Sequence, residues 1–314
     1  MINQNTNLSK WLILINPAAG NGKGEKKWPY LKSLLEQFDF EFEFHFTKTK
    51  GHAIQLAKEG IEKGFRKIMA IGGDGTGHEV VNGIFEQKEC PTTEILFTLL
   101  TIGTGNDWIK THKIPKDFKR WLPLIKKEKT IFQDIGLVQY HLDEEMKQRY
   151  FFNVAGMAYD GFLGKKLSKR SEKITNKFLY LFAIASWLFK YKLTKTQINF
   201  NNQKIEGYFY TINIGICKYS GGGMLFVPHG NPTDGKMALT IVRKVPKWLV
   251  LLLTPFFYNG KLNWLPVVSL HKTKRIVIES LENLPCDLEV DGEYLGETPV
   301  QFEIIEKALK IIVP

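Results

Sequence analysis

The sequence has few cysteines and no long uninterrupted apolar run. Its three cysteines, Cys90, Cys217 and Cys286, are too few and too scattered for a disulfide framework or a structural zinc site. The longest apolar runs, Phe178–Phe189 and Trp248–Phe257, are shorter than the roughly 20 residues that a membrane-spanning helix requires. We therefore predict a protein that is not integral to a membrane, which leaves binding to a membrane surface open.

Acidic residues are scarcer than basic ones. The chain of 314 residues has 43 Lys and Arg side chains against 32 Asp and Glu, which gives a net charge of +11 and a pI near 9.3. Such a balance attracts nucleic acid, nucleotide phosphates or an anionic membrane surface, and charge alone does not choose among them. Hydrophobic residues make up 44% of the chain, which provides a core and excludes disorder as the main state.

Two widespread nucleotide-binding motifs are missing. No Walker A pattern follows any predicted strand, and the dinucleotide fingerprint GxGxxG is absent after the first one. A P-loop hydrolase or an ordinary dehydrogenase is therefore not expected.

The first part of the chain alternates strand patterns with helix patterns. Strands alternating with helices indicate a parallel α/β sheet, and we predict such a domain over residues 1–131. The predicted strands are Trp11–Ile15, Phe40–Phe46, Lys67–Ile71 and Ile95–Leu100, and the helices between them are Trp28–Phe38, Gly51–Lys63 and His78–Phe85.

Short β-rich runs dominate the rest of the chain. Turn signals such as Asn201-Asn202, Asp234-Gly235 and Asp291-Gly292 separate them, which predicts a mainly β sandwich domain over residues 132–314. Two apolar helical inserts interrupt it, near Asn176–Lys192 and Pro246–Tyr258. The predicted strands are Ile135–Tyr140, Tyr150–Val154, Thr196–Phe200, Lys204–Ile214, Met237–Val242, Arg275–Glu279, Leu288–Val290 and Leu309–Val313.

Three glycine-rich loops follow three of the strands in the first domain. They cover residues 16–24, 72–77 and 101–107. The carboxyl ends of parallel strands converge on one crevice, where glycines let backbone N–H groups approach phosphate oxygens. Helix N-termini at the same edge add a favourable partial positive charge. Three such loops at one edge predict phosphate binding rather than simple turns.

The loops resemble motifs of the diacylglycerol kinase catalytic domain. Residues 72–76 read GGDGT, residues 15–20 are similar to the family's NPxSG loop, and residues 103–107 read GTGND. The second domain adds NVAG at 153–156, PTDG at 232–235 and DGE at 291–293. The resemblance spans nearly the whole chain and is to bacterial diacylglycerol kinase-like lipid kinases. It implies a first domain like those of NAD kinase and phosphofructokinase, and an ATP-dependent lipid kinase that uses Mg²⁺.

The resemblance also implies which residues bind the nucleotide. The first and second loops would cradle the ATP phosphates, and Asp74 would act through Mg²⁺ bridging them. The nucleotide-binding residues implied are Asn16, Pro17, Ala18, Ala19, Gly20, Thr47, Gly72, Gly73, Asp74, Gly75, Thr76, Glu79, Gly103, Thr104, Asn106 and Asp107.

A second set of implied residues lies in the β-rich domain. Besides Asp74, the catalytic residues would be Asp291, which takes the proton of the lipid hydroxyl, and Glu293, which orients it or shares the proton. Read locally, Asp291-Gly292 is equally a common hairpin turn. Asn153 and Asp160 would face the cleft. The loop residues Asn231, Asp234 and the Lys236 carbonyl match a structural Mg²⁺ site of bacterial members.

Several positions depart from the family pattern. His78 stands where Asn is usual, Thr101 where Pro is common, Lys110 where Arg often occurs, and Ala19 where Ser is usual. Such changes would alter nucleotide affinity.

Partners and location follow from the same resemblance. We expect a lipid substrate, diacylglycerol or a related lipid, and a peripheral membrane surface. We expect no nucleic acid, because no recognisable module accompanies the charge. A homodimer is left open. The first ten residues lack the order of a signal peptide, so the expected location is cytoplasmic, peripherally at the inner face of the membrane.

Basic residues beside the first apolar insert predict that the membrane contact is electrostatic, reversible and sensitive to salt. These residues are Lys165, Lys166, Lys169, Arg170, Lys190 and Lys192.

Two alternatives to a lipid kinase remain at this level. NAD kinases share the GGDGT motif, but residues 78–82 contain no clean copy of their Asn-Glu motif. The other alternative is a catalytically impaired regulator that binds lipid or nucleotide.

Overall fold

The computed structural model describes residues 7–103, 106–143, 145–169 and 185–314. The chain forms two compact units. Unit 1 contains the described residues up to Ile135 together with Ile305–Pro314, and unit 2 is Gly136–Ile304. The chain passes between the units within strands β5 (Thr130–Leu142) and β14 (Glu293–Ile312).

Unit 1 is built on a parallel sheet. Its strand order is β14-β4-β3-β1-β2, where β14 contributes only its C-terminal end. The strands are β1 (Trp11–Ile15), β2 (Phe42–Phe46), β3 (Lys67–Gly72) and β4 (Leu96–Thr101). The helices are α1 (Ala19–Gln37), α2 (His52–Glu62), α3 (Asp74–Glu86), α4 (Trp108–Thr111) and α5 (Phe118–Lys126), with a 3-10 turn at Thr92–Glu94.

The burial of these strands explains their sequence patterns. Every residue of β1 and β4 is buried, as expected for strands covered on both faces. Edge strand β2 is largely exposed, and its phenylalanines pack around Trp28 of α1. The predicted α/β class is therefore confirmed.

The two units are not separated at one point of the chain, as the predicted boundary after residue 131 would require. The last residues return to unit 1, where Lys310 and Ile311 pair in parallel with Leu96 and Phe97 of β4. A short apolar run such as Leu309–Val313 has the same pattern in a parallel and in an antiparallel strand, so the sequence alone does not reveal this return.

Unit 2 is a mainly β sandwich, as predicted. Two long strands, β9 (Gln203–Gly215) and β14, each extend through both layers of the sandwich. One half of β9 pairs with β8 (Lys195–Phe200) and the other half with β7 (Val154–Ala158). The remaining strands are β6 (Glu145–Phe151), β10 (Met237–Arg243), β11 (Val268–Thr273), β12 (Arg275–Ser280) and β13 (Asp287–Val290).

Two of the predicted turn signals are hairpin turns. Asn201 and Asn202 join β8 to β9 with φ values of 47° and 59°. Asp291 and Gly292 join β13 to β14 with φ values of 50° and 86°. Positive φ at both central positions is the geometry that Asn and Asp-Gly pairs favour in tight hairpins.

Besides the helical segment 185–190, the described residues of unit 2 contain two helices. They are α6 (Tyr159–Ser168) and α7 (Lys247–Asn259), and a 3-10 turn follows at Leu262–Trp264. The predicted insert at 176–192 lies largely outside the described residues, of which 185–190 are helical. Within the described parts of the chain, no helix is both long enough and apolar enough to cross a membrane.

Candidate functional site

The three glycine-rich loops of unit 1 contact one another. The Asn16 side chain donates a hydrogen bond to the Thr76 hydroxyl over 3.2 Å, which joins the first loop to the second. The Asp74 carboxylate accepts from the backbone N–H groups of Asp107 at 2.7 Å and Trp108 at 3.3 Å, which joins the second loop to the third. The predicted convergence of the loops is therefore present in the structure.

The first loop turns back on itself through a left-handed stretch. Gly20, Asn21 and Gly22 have φ values of 61°, 63° and 79° at the beginning of α1. A Cβ atom added at Gly20 would lie 3.4 Å from the Gly103 Cα atom, so this glycine lets the first and third loops approach closely. Asn106 and Asp107, further along the third loop, are buried. Thr104 and Gly105 lie outside the described residues.

Asp74 lies in the first turn of α3 and is half-buried. Its neighbour in space, Asp107, is 3% exposed and forms an ion pair with Lys110 over 2.6 Å. Lys110, one of the departures from the family pattern, therefore stabilises a buried acidic residue of the third loop.

Two of the predicted nucleotide-binding residues, Glu79 and Thr47, form hydrogen bonds with backbone groups of unit 1. The Glu79 carboxylate accepts hydrogen bonds from the backbone N–H groups of Gly51 at 2.8 Å and Ala53 at 3.1 Å, so it satisfies donors at the beginning of α2. Thr47 directly follows β2, and its N–H donates to the Ile15 carbonyl over 2.8 Å. Thr47 thus lies beside the end of β1, where the first loop begins.

His78 is fully buried within α3, although a histidine at this position could equally have faced solvent. The Asn82 side chain donates to the His78 carbonyl over 2.9 Å, and its nitrogen lies 3.4 Å from the imidazole Nε2. Thr101, the other departure, is the buried last residue of β4. Neither departure exposes a new polar group.

In unit 2, Asp291 is held by a row of backbone donors. Its carboxylate accepts from the N–H groups of Phe152 at 3.2 Å, Asn153 at 3.1 Å and Val154 at 3.0 Å. Asp291 is buried at the turn between β13 and β14, and Glu293 begins β14. The structure therefore brings the NVAG and DGE motifs together, and the donors fix the orientation of the carboxylate.

A cavity of about 300 Å³ lies within unit 2. Its lining is mostly apolar and includes no Lys, Arg or His among the described residues. The polar lining residues adjoin the Asp291 turn, because Gly292 lines the cavity and its N–H donates to the Glu289 carboxylate over 2.9 Å. Apolar residues of the lining include Leu163, Tyr210, Met224, Val242, Leu253 and Phe257.

The polar part of the lining is a hydrogen-bonded cluster. Thr211 donates to the Asp160 carboxylate and accepts from the Asn213 side chain over 2.6 Å. Burial raises the pKa of Asp160 to about 6, against the effect of these hydrogen bonds. Burial, and then the charges of Asp160 and Asp291, raises the pKa of Glu289 well above its ordinary value.

A glycine makes room for this cluster. A Cβ atom added at Gly156 would lie 2.8 Å from the Asp160 Cβ atom and from the Glu289 Oε1 atom, and 3.3 Å from the Asn213 Oδ1 atom. The glycine of the NVAG motif therefore allows three polar residues from different strands and a helix to meet. Sequence reasoning missed Thr211, Asn213 and Glu289, because each lies in an ordinary strand pattern without a motif.

Comparisons with known proteins agree with this arrangement. The diacylglycerol kinase catalytic domain matches residues 10–138, and the YegS C-terminal NAD kinase beta sandwich-like domain matches residues 156–313. The chain belongs to the bacterial diacylglycerol kinase-like lipid kinase family.

Individual relatives of this lipid kinase align along almost its whole length. Diacylglycerol kinases of Staphylococcus haemolyticus and Staphylococcus carnosus are 28% and 26% identical over 302 residues. The alignments cover 96% of the chain and 87% and 94% of the respective relatives. A crystal structure of a diacylglycerol kinase from Bacillus anthracis has a TM-score of 0.69 at 21% identity, over 99% of this chain and 98% of that one. At that identity the structural likeness shows the fold.

In the loop expected to bind structural Mg²⁺, the side chains of Asn231 and Asp234 have protein partners. Asp234 forms an ion pair with Lys272, whose ammonium already supplies a positive charge there. Its other oxygen accepts from the Lys236 N–H over 3.2 Å, and the Asn231 oxygen accepts from Thr233. Among the described residues, no group of three or more His, Cys, Asp or Glu side chains could hold a metal ion.

The basic residues near the first insert of this kinase are not all surface charges. Lys165 forms ion pairs with Asp287 at 2.7 Å and Glu297 at 3.6 Å. Burial opposes the charged form of Lys165, but the bond to Asp287 outweighs it and raises the pKa of the ammonium. Lys166 lies 5.4 Å above the Phe162 ring, and Arg170 lies outside the described residues. Lys165 is therefore a structural residue of unit 2.

Proposed function

We propose that this lipid kinase transfers the γ-phosphoryl group of ATP to a hydroxyl group of a lipid, diacylglycerol or a related one. The observation that carries the proposal is the apolar cavity of unit 2, whose polar lining adjoins the Asp291 turn. A long-chain acceptor needs an apolar site for its chain and a carboxylate close to its hydroxyl. Both occur there, because the lining is mostly apolar and includes Gly292, which directly follows Asp291.

The nucleotide would bind at the three loops of unit 1. Phosphoryl transfer depends on positioning and charge neutralisation, and backbone N–H groups at glycine-rich loops provide both. The Asp74 carboxylate would supply an oxygen ligand of the kind that suits Mg²⁺. When bound there with ATP, Mg²⁺ would neutralise charge on the phosphates.

The acceptor hydroxyl would lose its proton to Asp291. A hydroxyl with a high pKa needs a positioned base as the new bond forms, and three backbone donors hold the Asp291 carboxylate in place. Glu293, two residues further along the same hairpin, would orient the hydroxyl or share the proton. The chain of the lipid would extend from this polar end into the apolar part of the cavity.

Location follows from the acceptor. A kinase whose acceptor resides in a bilayer must work at a membrane surface, so we infer a peripheral enzyme at the cytoplasmic face that serves phospholipid synthesis. The net charge of +11 favours an anionic surface.

A transfer assay tests the proposal. Purified protein with radiolabelled ATP and Mg²⁺ should label at least one acceptor in a panel of diacylglycerol, a sphingoid base and ceramide in mixed micelles. Labelling of NAD in place of every lipid would identify an NAD kinase. Binding of ATP and lipid without transfer to any acceptor would identify a regulator that has lost catalysis.

A further inference from the structure

Helix α7 is apolar on every side, which is unusual for a helix at the surface of a protein. Between Lys247 and Lys261 the sequence contains no charged residue. None of the 13 residues of α7 is buried. An all-apolar helix is normally enclosed by protein or lipid, so the exposure of α7 requires an explanation.

The inner face of α7 forms a wall of the cavity. Val250, Leu253, Thr254 and Phe257 line it, and they recur with the three- and four-residue spacing of one helix face. The Phe257 ring also packs 5.0 Å from the Phe226 ring, another lining residue. Helix α7 is thus one wall between the cavity and the exterior of unit 2.

The outer face of α7 carries large apolar side chains exposed to solvent. Trp248 is 60% exposed and Leu252 is 63% exposed, while Leu251 and Tyr258 follow the same face. Phe189 and Trp264, in the flanking segments, are 55% and 65% exposed. The carbonyl of Phe189 accepts from the Lys247 ammonium over 2.7 Å, which places Phe189 beside the beginning of α7. We call these six residues the α7 surface.

The charged residues in the sequence segments that carry the α7 surface are all basic. These segments, residues 185–195 and 243–266, contain no Asp or Glu. Lysines flank the apolar side chains at positions 190, 192, 244, 247 and 261, and the Lys261 ammonium lies 4.4 Å from the centroid of the Trp264 ring. Tryptophan, tyrosine and lysine around an aliphatic centre are typical of a helix that lies in the headgroup region of an anionic bilayer.

We propose that the α7 surface inserts into the headgroup region of an anionic bilayer and that a chain of the acceptor enters the cavity of unit 2 across α7. This proposal rests on the proposed function and names the partner and the loading route of the same site. One face of α7 meets the bilayer and the other meets the cavity. The helix therefore separates two apolar environments between which a lipid chain can move without crossing water.

The attachments of α7 are compatible with local movement. Its beginning is tied by Lys247, which also donates to the Tyr191 carbonyl over 2.9 Å, and its end turns at Gly260 with a φ of 72°. Between these ends no residue of the helix is fully buried, but Val250 and Phe257 pack against the core of unit 2 and the Phe257 carbonyl accepts from the Leu225 N–H. Loading of the cavity requires these few contacts to open locally, which costs less than exposing fully buried residues.

The first test changes the outer face alone. We compare wild type with the double variant Trp248→Glu/Leu252→Glu in sedimentation with vesicles of phosphatidylglycerol and phosphatidylcholine. Loss of two inserted apolar side chains and the repulsion between carboxylates and anionic lipid should weaken binding roughly 100-fold. Met146→Glu is the control for added charge, because Met146 is 67% exposed on β6 and the variant places one of the two added carboxylates elsewhere in unit 2.

The second test changes the inner face alone. Val250→Trp fills the cavity without altering the α7 surface, so binding to the vesicles should stay within about twofold of wild type. The ratio of turnover on a long-chain acceptor to turnover on a short-chain acceptor should fall roughly tenfold, because less of the chain can be buried. Normal melting temperatures of both variants exclude unfolding as the cause.

Three results would overturn the inference. The first is vesicle binding by the double variant equal to that of Met146→Glu. The second is an unchanged acceptor ratio in Val250→Trp. The third is that the wild type is a dimer and the double variant a monomer that still binds vesicles, because a second copy of the chain would then cover the α7 surface. Vesicle binding needs no catalysis, so absence of lipid phosphorylation by wild type would refute the proposed function separately.

Discussion

The candidate site of unit 1 is formed mainly by backbone groups, whereas that of unit 2 is formed mainly by side chains. In unit 1 the candidate nucleotide site consists of three short loops, each continuous in sequence, and much of what it presents is backbone. In unit 2 the candidate acceptor site combines side chains from α6, β9 and β13 around a glycine of β7. A site made of backbone leaves a sequence signature in its glycines, whereas a site made of side chains on regular elements leaves little.

This difference also determines how each site responds to substitution. A residue that links two loops supports the whole nucleotide site, so its substitution should greatly reduce ATP affinity and turnover. A residue that lines the cavity shares its role with many neighbours, so its substitution should reduce turnover only in part. Substitutions in the two units therefore test that contrast.

Asp74→Ala should abolish transfer, with a fall in turnover of roughly 10³-fold, because the second and third loops lose their link and the phosphates lose a charged anchor. ATP affinity, measured by calorimetry with Mg²⁺ present, should fall with it. Asp117→Ala is a control in the same unit: the Asp117 side chain accepts from the Lys119 N–H at the beginning of α5, so its loss should cost stability and leave ATP affinity intact. Retained ATP affinity in Asp74→Ala would mean that the loop has only a structural role.

Asp291→Asn should lower turnover by roughly 10²-fold while ATP affinity stays near wild type, because the proton acceptor is lost and the loops of unit 1 are unchanged. An amide cannot accept from all three backbone donors, so the free energy of unfolding should also fall by roughly 1–3 kcal/mol. Asp287→Asn on the same hairpin, which breaks the ion pair with Lys165, should cost stability without the loss of turnover. Equal turnover in the two variants would remove Asp291 from the chemistry.

Gly156→Ala should disturb the acceptor site and lower the free energy of unfolding by roughly 1–3 kcal/mol, since a methyl group there meets Asp160 and Glu289 at 2.8 Å. Urea unfolding measures the loss, and lipid turnover should fall more than ATP affinity. Gly207→Ala in β9 is the control, because its methyl group would come no closer than 3.3 Å to the Phe209 ring. If ATP affinity fell in proportion to turnover, the contrast between the two sites would fail.

Asp160→Asn should make stability less dependent on pH. The folded-state pKa of Asp160, about 6, lies above the ordinary value of 3.8, so the stability present at low pH is lost as pH rises through that window. Asn cannot ionise, and the variant should gain on the order of 1 kcal/mol relative to wild type between pH 4 and pH 7, since one pKa unit corresponds to about 1.36 kcal/mol. Thermal unfolding at both pH values measures the gain. Parallel stability profiles for the two proteins would contradict the assigned burial of this carboxyl group.

The same contrast explains what the sequence could and could not predict. The strands β1, β3 and β4 and the three loops after them were predictable, because continuous apolar runs and glycines are local signals. The Asp291-Gly292 hairpin was predictable as a turn, but its contact with residues 152–154 depends on the pairing of distant strands. For Glu79 the resemblance implies nucleotide binding, which stays a prediction, whereas the contact of its carboxylate with the beginning of α2 was not predictable because it joins two helices distant in sequence. The cavity and the exposed outer face of α7 arise only when the sandwich assembles.

Steady-state kinetics of wild type and Val250→Trp would test the central claim most directly, with radiolabelled ATP and long-chain diacylglycerol each varied in turn. The assignment of the acceptor to the cavity of unit 2 predicts that the KM for the lipid rises roughly tenfold, while the KM for ATP stays within about twofold of wild type. An unchanged KM for the lipid, or a matching rise in the KM for ATP, would contradict it.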